Sequence, residues 1–328
     1  MRRSVIPRVL PPVLRRVTSW NASLDRREIE FEIGAQARAE AARFIGEVPD
    51  DASITGIDVS DPTLAHLTAA IEQCRRRVER EHRFVLLRPL TGLDVRGRRV
   101  FAWLVARLLG TPVAQNADGD RLMPVHARPG AKRIAEGARY HQTREGGAPH
   151  TDNVSLPDLF DYLVFSCIRP GWLGGESILI SALAVHERLR EFPSALNILR
   201  KPFWWEYRGI SAGLFQAPII TYTEAGEPRF RFLRRYLESA HMRAGEPLTP
   251  EQVWALDVID AILDDESLRF RLPMEEGHIL VAYDSQVLHA RTTFCDRLPG
   301  APACVREALE GPWRYFDRVW VSRTSRSL

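Results

Sequence analysis

The sequence predicts an α+β, mainly β fold, and three observations predict it. From about residue 120 onward, short apolar or alternating runs recur at 162–168, 177–180, 218–222, 278–283 and 313–321, separated by Gly, Pro and Asp. That is the pattern of many short strands. Upstream of residue 120 the apolar residues recur at helical spacing instead. A single well-marked helix, opened by Thr249-Pro250-Glu251-Gln252, interrupts the strands.

Taken in chain order, residues 1–50 read as a Pro-containing arm with one helical piece around 35–45. Asp61-Pro62-Thr63 opens a helix, with Asp61 suited to the N-cap and Pro62 to the first helical position. Leu64, Leu67, Ile71 and Val78 then mark one helix face. Phe84-Val85-Leu86-Leu87 is a short buried strand, and a second helix covers 97–109 with Gly110 as its C-cap. Glu224-Ala225-Gly226-Glu227 sits between two strand-like runs as a hairpin turn. Thr249 and Gln252 form a capping box, followed by the stripe Val253, Leu256, Ile259, Ile262 and Leu263, which should pack outside the sheet. There is no internal repeat and no low-complexity segment. We expect one domain over 1–328, in which a mostly helical region, 1–120, packs on a β-rich core, 120–328.

Composition narrows the function. With 45% hydrophobic and 27% charged residues, the chain is globular rather than disordered. No run approaches the roughly 18 apolar residues that span a bilayer. The N-terminal MRRSVIPRVLPPVLRRV is basic and broken by Pro7, Pro11 and Pro12, which argues against a secretory signal and for a cytoplasmic location. The net charge of +3 is small, and Arg is scattered among Glu and Asp, with Lys only at 132 and 201. A nucleic-acid binder would gather that charge in a stripe beside a recognition motif. Arg75-Arg76-Arg77 is read as a solvated helix face. The four cysteines, 74, 167, 295 and 304, form no CxxC and read as free thiols, although Cys295 and Cys304 could pair within one loop.

His150-Thr151-Asp152 is the informative triplet. On a strand, side chains two apart share a face, so HxD can aim an imidazole and a carboxylate at one ion. A His from a distant strand completes a facial triad with three open positions, the arrangement of non-heme Fe(II) oxygenases. Alone, HxD is weak, and a solvated His-Asp pair is the better account of the triplet by itself. The context adds Gly146-Gly147-Ala148-Pro149 as a turn before His150. It also adds His289 after the apolar run 279–283 and just before Arg291.

Four segments in order resemble the TauD/TfdA superfamily of Fe(II)/2-oxoglutarate dioxygenases, its clavaminate synthase-like branch in particular. They are Pro149-His150-Thr151-Asp152-Asn153, Gly174-Gly175-Glu176-Ser177, the run 277–294 containing Val287-Leu288-His289-Ala290-Arg291, and Arg314-Tyr315-Phe316-Asp317-Arg318-Val319-Trp320-Val321. The resemblance covers roughly 64–322. It implies that His150, Asp152 and His289 are the catalytic Fe(II) ligands. It implies that Arg314, helped by the Ser177 hydroxyl, binds the distal carboxylate of 2-oxoglutarate, a planar fork meeting a planar anion. It implies a double-stranded β-helix, a jelly-roll or cupin-like barrel, with flanking helices and a lid insertion at about 208–272 that keeps water from the site. The implied reaction consumes O2 and 2-oxoglutarate, releases succinate and CO2, and hydroxylates or otherwise oxidises an unactivated C–H bond. Asp152 argues against a halogenase, because those relatives lack the carboxylate. The gap from His289 to Arg314 is longer than usual in the family because of an insertion at 296–312, which makes Arg291 and Arg297 rivals of Arg314. Arg291 fits the family's H-x-R motif, read as structural or pocket-lining.

The substrate is less legible. Arg318 lies four residues past Arg314 on a strand and so shares its face; in relatives this second Arg often meets an anionic group. Gln142 and Arg231 are further substrate-binding candidates, Arg231 as one of the alternating pair Arg229 and Arg231. Solvent or protein partners are the alternatives for both. His141, Thr143 and Glu145 belong to the same approach to His150. Trp204-Trp205 reads as core, His186-Glu187-Arg188-Leu189-Arg190 is not a zinc motif, and the Asn153 sequon carries no weight without a secretory signal. The expected substrate is a small anionic amino acid-like or natural-product molecule, such as a carboxylate or phosphonate, with no nucleic-acid or membrane partner and a homodimer left open. A barrel that binds a small molecule without turnover, and an oxygenase acting on a macromolecule, are the alternatives. The intact ligand set speaks against the first and the absence of a basic stripe against the second.

Overall fold

Alternation along the strands builds two facing sheets. In Phe84–Leu87, Phe84 and Leu86 turn to one side, against Cys167, Leu280, Ala282 and Phe316. Val85 and Leu87 turn to the other, against helices. All four are essentially solvent-free, and each such side chain contributes roughly 1.5–3 kcal/mol by burial. The computed structural model describes residues 18–127, 142–152, 154–207, 210–296 and 314–323.

Seven of the described strands form the larger sheet, in the order Glu30–Phe31, Phe84–Leu87, Ile279–Tyr283, Tyr162–Arg169 and Tyr315–Ser322. The free edge of Tyr315–Ser322 pairs with both Thr111–Val113 and Met123–Val125. All pairings are antiparallel except the first. A second, antiparallel sheet runs Phe270–Leu272, Ser177–Ser181, Val287–Arg291, Gly147–His150. Phe84, Leu86, Cys167, Leu280 and Phe316 from the first sheet meet Leu179, Phe270, Leu272 and Val287 from the second in one apolar layer.

Helices cover both outer faces. Ala35–Glu47, Ala65–Arg80 and Val95–Leu109 pack on Val85, Leu87, Val164, Val281 and Val319. Ala182–Leu189, Pro193–Leu199, Arg234–Ala244 and Pro250–Leu263 pack on Ile178, Ile180, Leu288 and Ala290. The expected signals act where they were read. Asp61 accepts from Thr63 N at 2.8 Å, and the Thr249/Gln252 capping box closes in both directions. The Gly226 turn joins Ile220–Tyr222 to Pro228–Phe230. Arg75, Arg76 and Arg77 pair with Glu72, Glu79 and Glu81 along the helix.

Four expectations need adjustment. Gly110 does cap its helix, but with an extended φ of 164° that any residue adopts. Its glycine is required because a Cβ there would lie 2.3 Å from the Ser322 carbonyl oxygen. The run 218–222 divides between two strands, Leu214–Pro218 and Ile220–Tyr222. Three helices escaped the reading, Ala182–Leu189, Pro193–Leu199 and Arg234–Ala244, the second only seven residues long. The segment 208–272, read as a lid, mostly packs against the outer face of the second sheet, and its last strand, Phe270–Leu272, belongs to that sheet. No helix among the described residues is long and apolar enough to cross a membrane. His141, Asn153, Arg297, Cys304 and the 297–312 part of the insertion lie outside the described residues.

Candidate metal centre

His289 and His150 face each other as register partners of two antiparallel strands. Their ring centroids are 4.4 Å apart. Asp152 completes the group: its Oδ1 lies 3.9 Å from His150 Nε2 and 3.8 Å from His289 Nε2. One ligand atom from each of the three residues falls within 4.8 Å of the others. The carboxylate does not arrive by strand alternation, as HxD suggested. The strand ends at His150, and two anchors bend the chain beyond it. Thr151 exchanges hydrogen bonds with Phe232, N–H to O at 2.9 Å and N–H to Oγ1 at 3.0 Å. The Asp152 N–H donates to Asp284 Oδ1 at 3.0 Å.

The donor chemistry suits a divalent ion. His150 Nδ1 sits 2.8 Å from the Ala148 carbonyl, which favours the tautomer protonated at Nδ1 and puts the lone pair on Nε2, the atom that faces Asp152. Burial pushes His150 below the usual imidazole value, and burial together with the His150 neighbour pushes His289 down to about 3. Both rings are therefore neutral ligands near neutral pH. Burial alone would raise the Asp152 carboxyl, but the Arg318 guanidinium, helped by the Trp320 indole N–H, holds it well below the ordinary carboxylate range. Asp152 is thus a charged acceptor, gripped on its outer side by Arg318 Nη1, 3.1 Å from both oxygens, and by Trp320 Nε1, 3.0 Å from Oδ2.

The same cavity holds a second subsite. Arg291 lies two residues past His289 on one strand, hence about 7 Å away on the same face, and its register partner is Ser177. Arg314 is almost fully buried, lying between the rings of Phe294 and Phe316. Its Nε and Nη2 each reach the Gly175 carbonyl at 3.3 Å, while Nη1 has no partner among the described residues. Burial and the neighbouring Arg291 push Arg314 down to about 9. Arg291 donates Nη2 to the carbonyls of Thr143 and Glu145 and is pushed down to about 10 by burial. The Asp296 carboxylate acts on both guanidiniums through its charge alone, since its hydrogen bonds go to the Arg314 backbone N–H and to Arg144. A buried and a part-buried cation, each with one nitrogen unpartnered among the described residues, form a cradle for an anion. Across from it the Ser177 hydroxyl meets the Met274 sulfur at 4.0 Å, leaving its stronger donor capacity for an oxygen ligand.

The Gly174-Gly175 step makes this subsite. Both residues have positive φ, 73° and 76°. A Cβ on Gly175 would lie 2.8 Å from Arg314 Nε and 2.9 Å from its Cδ. Gly175→Ala is therefore expected to lower the melting temperature, since left-handed backbone costs an L-residue roughly 1–2 kcal/mol. It is also expected to raise the KM for 2-oxoglutarate without weakening metal binding. Calorimetry and co-substrate titration check this, and an unchanged KM would mean that Arg314 tolerates the shift.

The structure brings together His150, Asp152, His289, Ser177, Arg291, Arg314 and Arg318 on one cavity. It leaves out two sequence candidates. Arg231 is buried, but its guanidinium is spent on the carbonyls of Leu156 and Pro157 and lies over Trp205 and Phe215. Gln142 is half-buried and does not line the cavity. Arg318 does face the cavity, with Asp152 and Gln115 Oε1 as partners. Asp317 is engaged by Arg99. The sequence reading missed Gln115, Ser155, Ile210, Leu233 and Tyr236 on the cavity wall, and Trp320. Only Trp320 carried a usable signal: Arg314, Phe316, Arg318 and Trp320 alternate along one strand.

Comparisons with known proteins point the same way. A model of the "Taurine catabolism dioxygenase TauD, TfdA family" matches residues 45–307. FR-33289 synthase of Streptomyces rubellomurinus (strain ATCC 31215) is 25% identical over 290 residues, covering 86% of this chain and 81% of that protein. The structure of asparagine oxygenase with Fe(II), 2S,3S-3-hydroxyasparagine and succinate superposes with a TM-score of 0.64 at 14% identity, over 90% of this chain and 94% of the other. The non-heme iron oxygenase OrfP with Fe and alpha-ketoglutaric acid superposes with a TM-score of 0.59, also at 14% identity and over 90% and 94% of the two chains. At that identity the two superpositions show a shared fold.

Proposed function

Because the chain belongs to the TauD/TfdA family of dioxygenases, and is thus an Fe(II)- and 2-oxoglutarate-dependent oxidoreductase that uses O2, we propose that it oxidises an unactivated C–H bond of a small anionic molecule, releasing succinate and CO2. The observation that carries this reading is the cavity that joins the His150, Asp152 and His289 group to the Arg314 guanidinium, whose Nη1 has no partner among the described residues. In it, His150 Nε2, Asp152 and His289 Nε2 would hold Fe(II). Arg314 and Ser177 would hold the distal carboxylate of 2-oxoglutarate, and Arg291 adds positive charge beside it. Bound iron and keto acid supply the O2-dependent oxidation of the C–H bond. The residues of this chain orient the two carboxylate ends, keep the imidazoles neutral and limit water through the apolar wall of Leu163, Phe165, Leu179 and Leu280. We read the two facing sheets as the halves of a jelly-roll within one catalytic domain. Of the segment 208–272, Ile210, Leu233 and Tyr236 are the residues that reach the cavity, and in our reading they cover the substrate.

An anionic substrate follows from charge. Arg291, Arg314 and Arg318 outnumber Asp152 on the cavity wall, and the divalent metal and the dianionic keto acid cancel each other. Arg318, beside Gln115, is the group we assign to the substrate anion. FR-33289 synthase and the hydroxyasparagine bound to asparagine oxygenase support an amino acid or natural-product substrate. The test is succinate release from 2-oxoglutarate with Fe(II) and ascorbate, screened over amino acids, their conjugates and small phosphonates. Stimulation by an anionic member is expected. Stimulation only by a protein or nucleic acid would refute the small-molecule reading. At saturating Fe(II), Arg318→Met should raise the substrate KM while 2-oxoglutarate affinity stays within about twofold.

A further inference from the structure

We propose that Trp320 is a positioning residue for the metal: its indole N–H ties up Asp152 Oδ2, so that Oδ1 alone serves the ion. The inference rests on the metal reading above and deepens it. The two carboxylate oxygens are not equivalent here. Oδ1 is the atom that faces both imidazole Nε2 atoms, at 3.8 and 3.9 Å. Oδ2 receives the Trp320 Nε1–H at 3.0 Å.

Each part of this arrangement is held. Trp320 is 5% exposed and its ring stacks on Phe160, with centroids 4.9 Å apart and planes 16° from parallel. Its strand is clamped by pairing on both sides, to Leu163 and to Val113. The Asp152 backbone is fixed separately by Asp284. Neither the indole nor the carboxylate can turn without breaking buried contacts.

A carboxylate can bind a metal through one oxygen or two. With two, a facial triad would lose one of its three open positions, and the keto acid needs two of them, with O2 taking the third. A buried donor on Oδ2 opposes the second mode, because it occupies one of that oxygen's lone pairs, draws charge away from it and holds its orientation. Arg318 also touches both oxygens, but it lines the substrate side of the cavity and carries a charge that an arriving anion would compete for. The indole is neutral and donates only, and no anion competes for it with comparable strength. Trp320 therefore keeps the carboxylate in one mode whether or not Arg318 is engaged by substrate.

The test is anaerobic and does not depend on turnover. Co(II), the probe, is titrated into wild-type protein and into Trp320→Phe, which keeps an aromatic ring beside Phe160 but loses the donor and part of the ring volume. Visible absorption reports the coordination number, a competing chelator reports affinity, and 2-oxoglutarate is then added. In Trp320→Phe we expect a changed Co(II) spectrum, metal affinity shifted by about 10–100-fold, the range typical of outer-shell partners, and weaker 2-oxoglutarate binding. Phe160→Leu disturbs the same packing but keeps the donor, and is expected to retain the wild-type spectrum. Identical spectra and affinities for wild type and Trp320→Phe would overturn the proposal, as would an equal change in Phe160→Leu, which would make the effect one of packing. If the wild type itself bound no Co(II), the metal reading would fail instead.

Discussion

Asp152→Ala is expected to abolish substrate oxidation and to weaken metal binding by more than ~100-fold, because loss of an outer-shell partner alone costs about 10–100-fold. The carboxylate is the only anion among the three grouped ligands. Its loss leaves two neutral imidazoles facing a divalent ion in the field of Arg318. It also strands the Arg318 and Trp320 donors that now converge on it. Chelator competition, with circular dichroism to confirm folding, separates loss of metal from loss of structure. The assay must omit halide and small carboxylates, which could fill the vacated position. Full activity in this variant would remove Asp152 from the site.

Arg314→Ala is expected to raise the KM for 2-oxoglutarate by a factor equivalent to ~2–5 kcal/mol, the usual cost of losing one partner of a buried charge pair. The effect should fall on KM, because the Arg314 guanidinium donates to the Gly175 carbonyl and not to any of the three metal ligands. Arg291→Ala is the informative comparison. Arg291 engages two backbone carbonyls through Nη2 and leaves Nε unpartnered among the described residues, but it is only part-buried where Arg314 is almost fully buried, so its effect should be smaller. Titration of 2-oxoglutarate in both variants ranks them, and the reverse order would assign the distal carboxylate to Arg291.

Much of this site was legible in the sequence because its parts are carried by short, ordered motifs. His150 and His289 could be read from type and context, and their opposition across two strands follows from pairing that sequence spacing alone does not contain. Asp152 was found for a reason that proved incomplete, since a bend held by Phe232 and Asp284, rather than alternation, aims it. Arg314 was legible despite the long insertion before it, because the alternating strand that follows is distinctive. Arg231 misled because alternation says which side of a strand a residue faces and not which carbonyls wait there. Gln115, Ile210 and Tyr236 were not legible: each comes from a different loop or helix, and only tertiary packing brings them to the cavity. In the fold, strands bounded by Gly and Pro were easier to read than the short helices near 182–199, which are too brief for their period to emerge.

The strand Tyr315–Ser322 is the last of the described strands in the chain, yet it lies in the interior of the larger sheet, between Tyr162–Arg169 on one edge and Thr111–Val113 with Met123–Val125 on the other. In folding terms the sheet closes around its latest piece. Until that piece arrives, two apolar strand edges face a gap, the state in which chains pair wrongly with one another. The closing contacts join residues roughly 150 to 210 apart, so the step carries a large loop-closure entropy and should be slow. Arg314, Arg318 and Trp320 ride in on this same strand or at its start. The anion cradle and the outer grip on Asp152 therefore come into being together with the completed sheet, and a nascent chain still lacking this strand has neither.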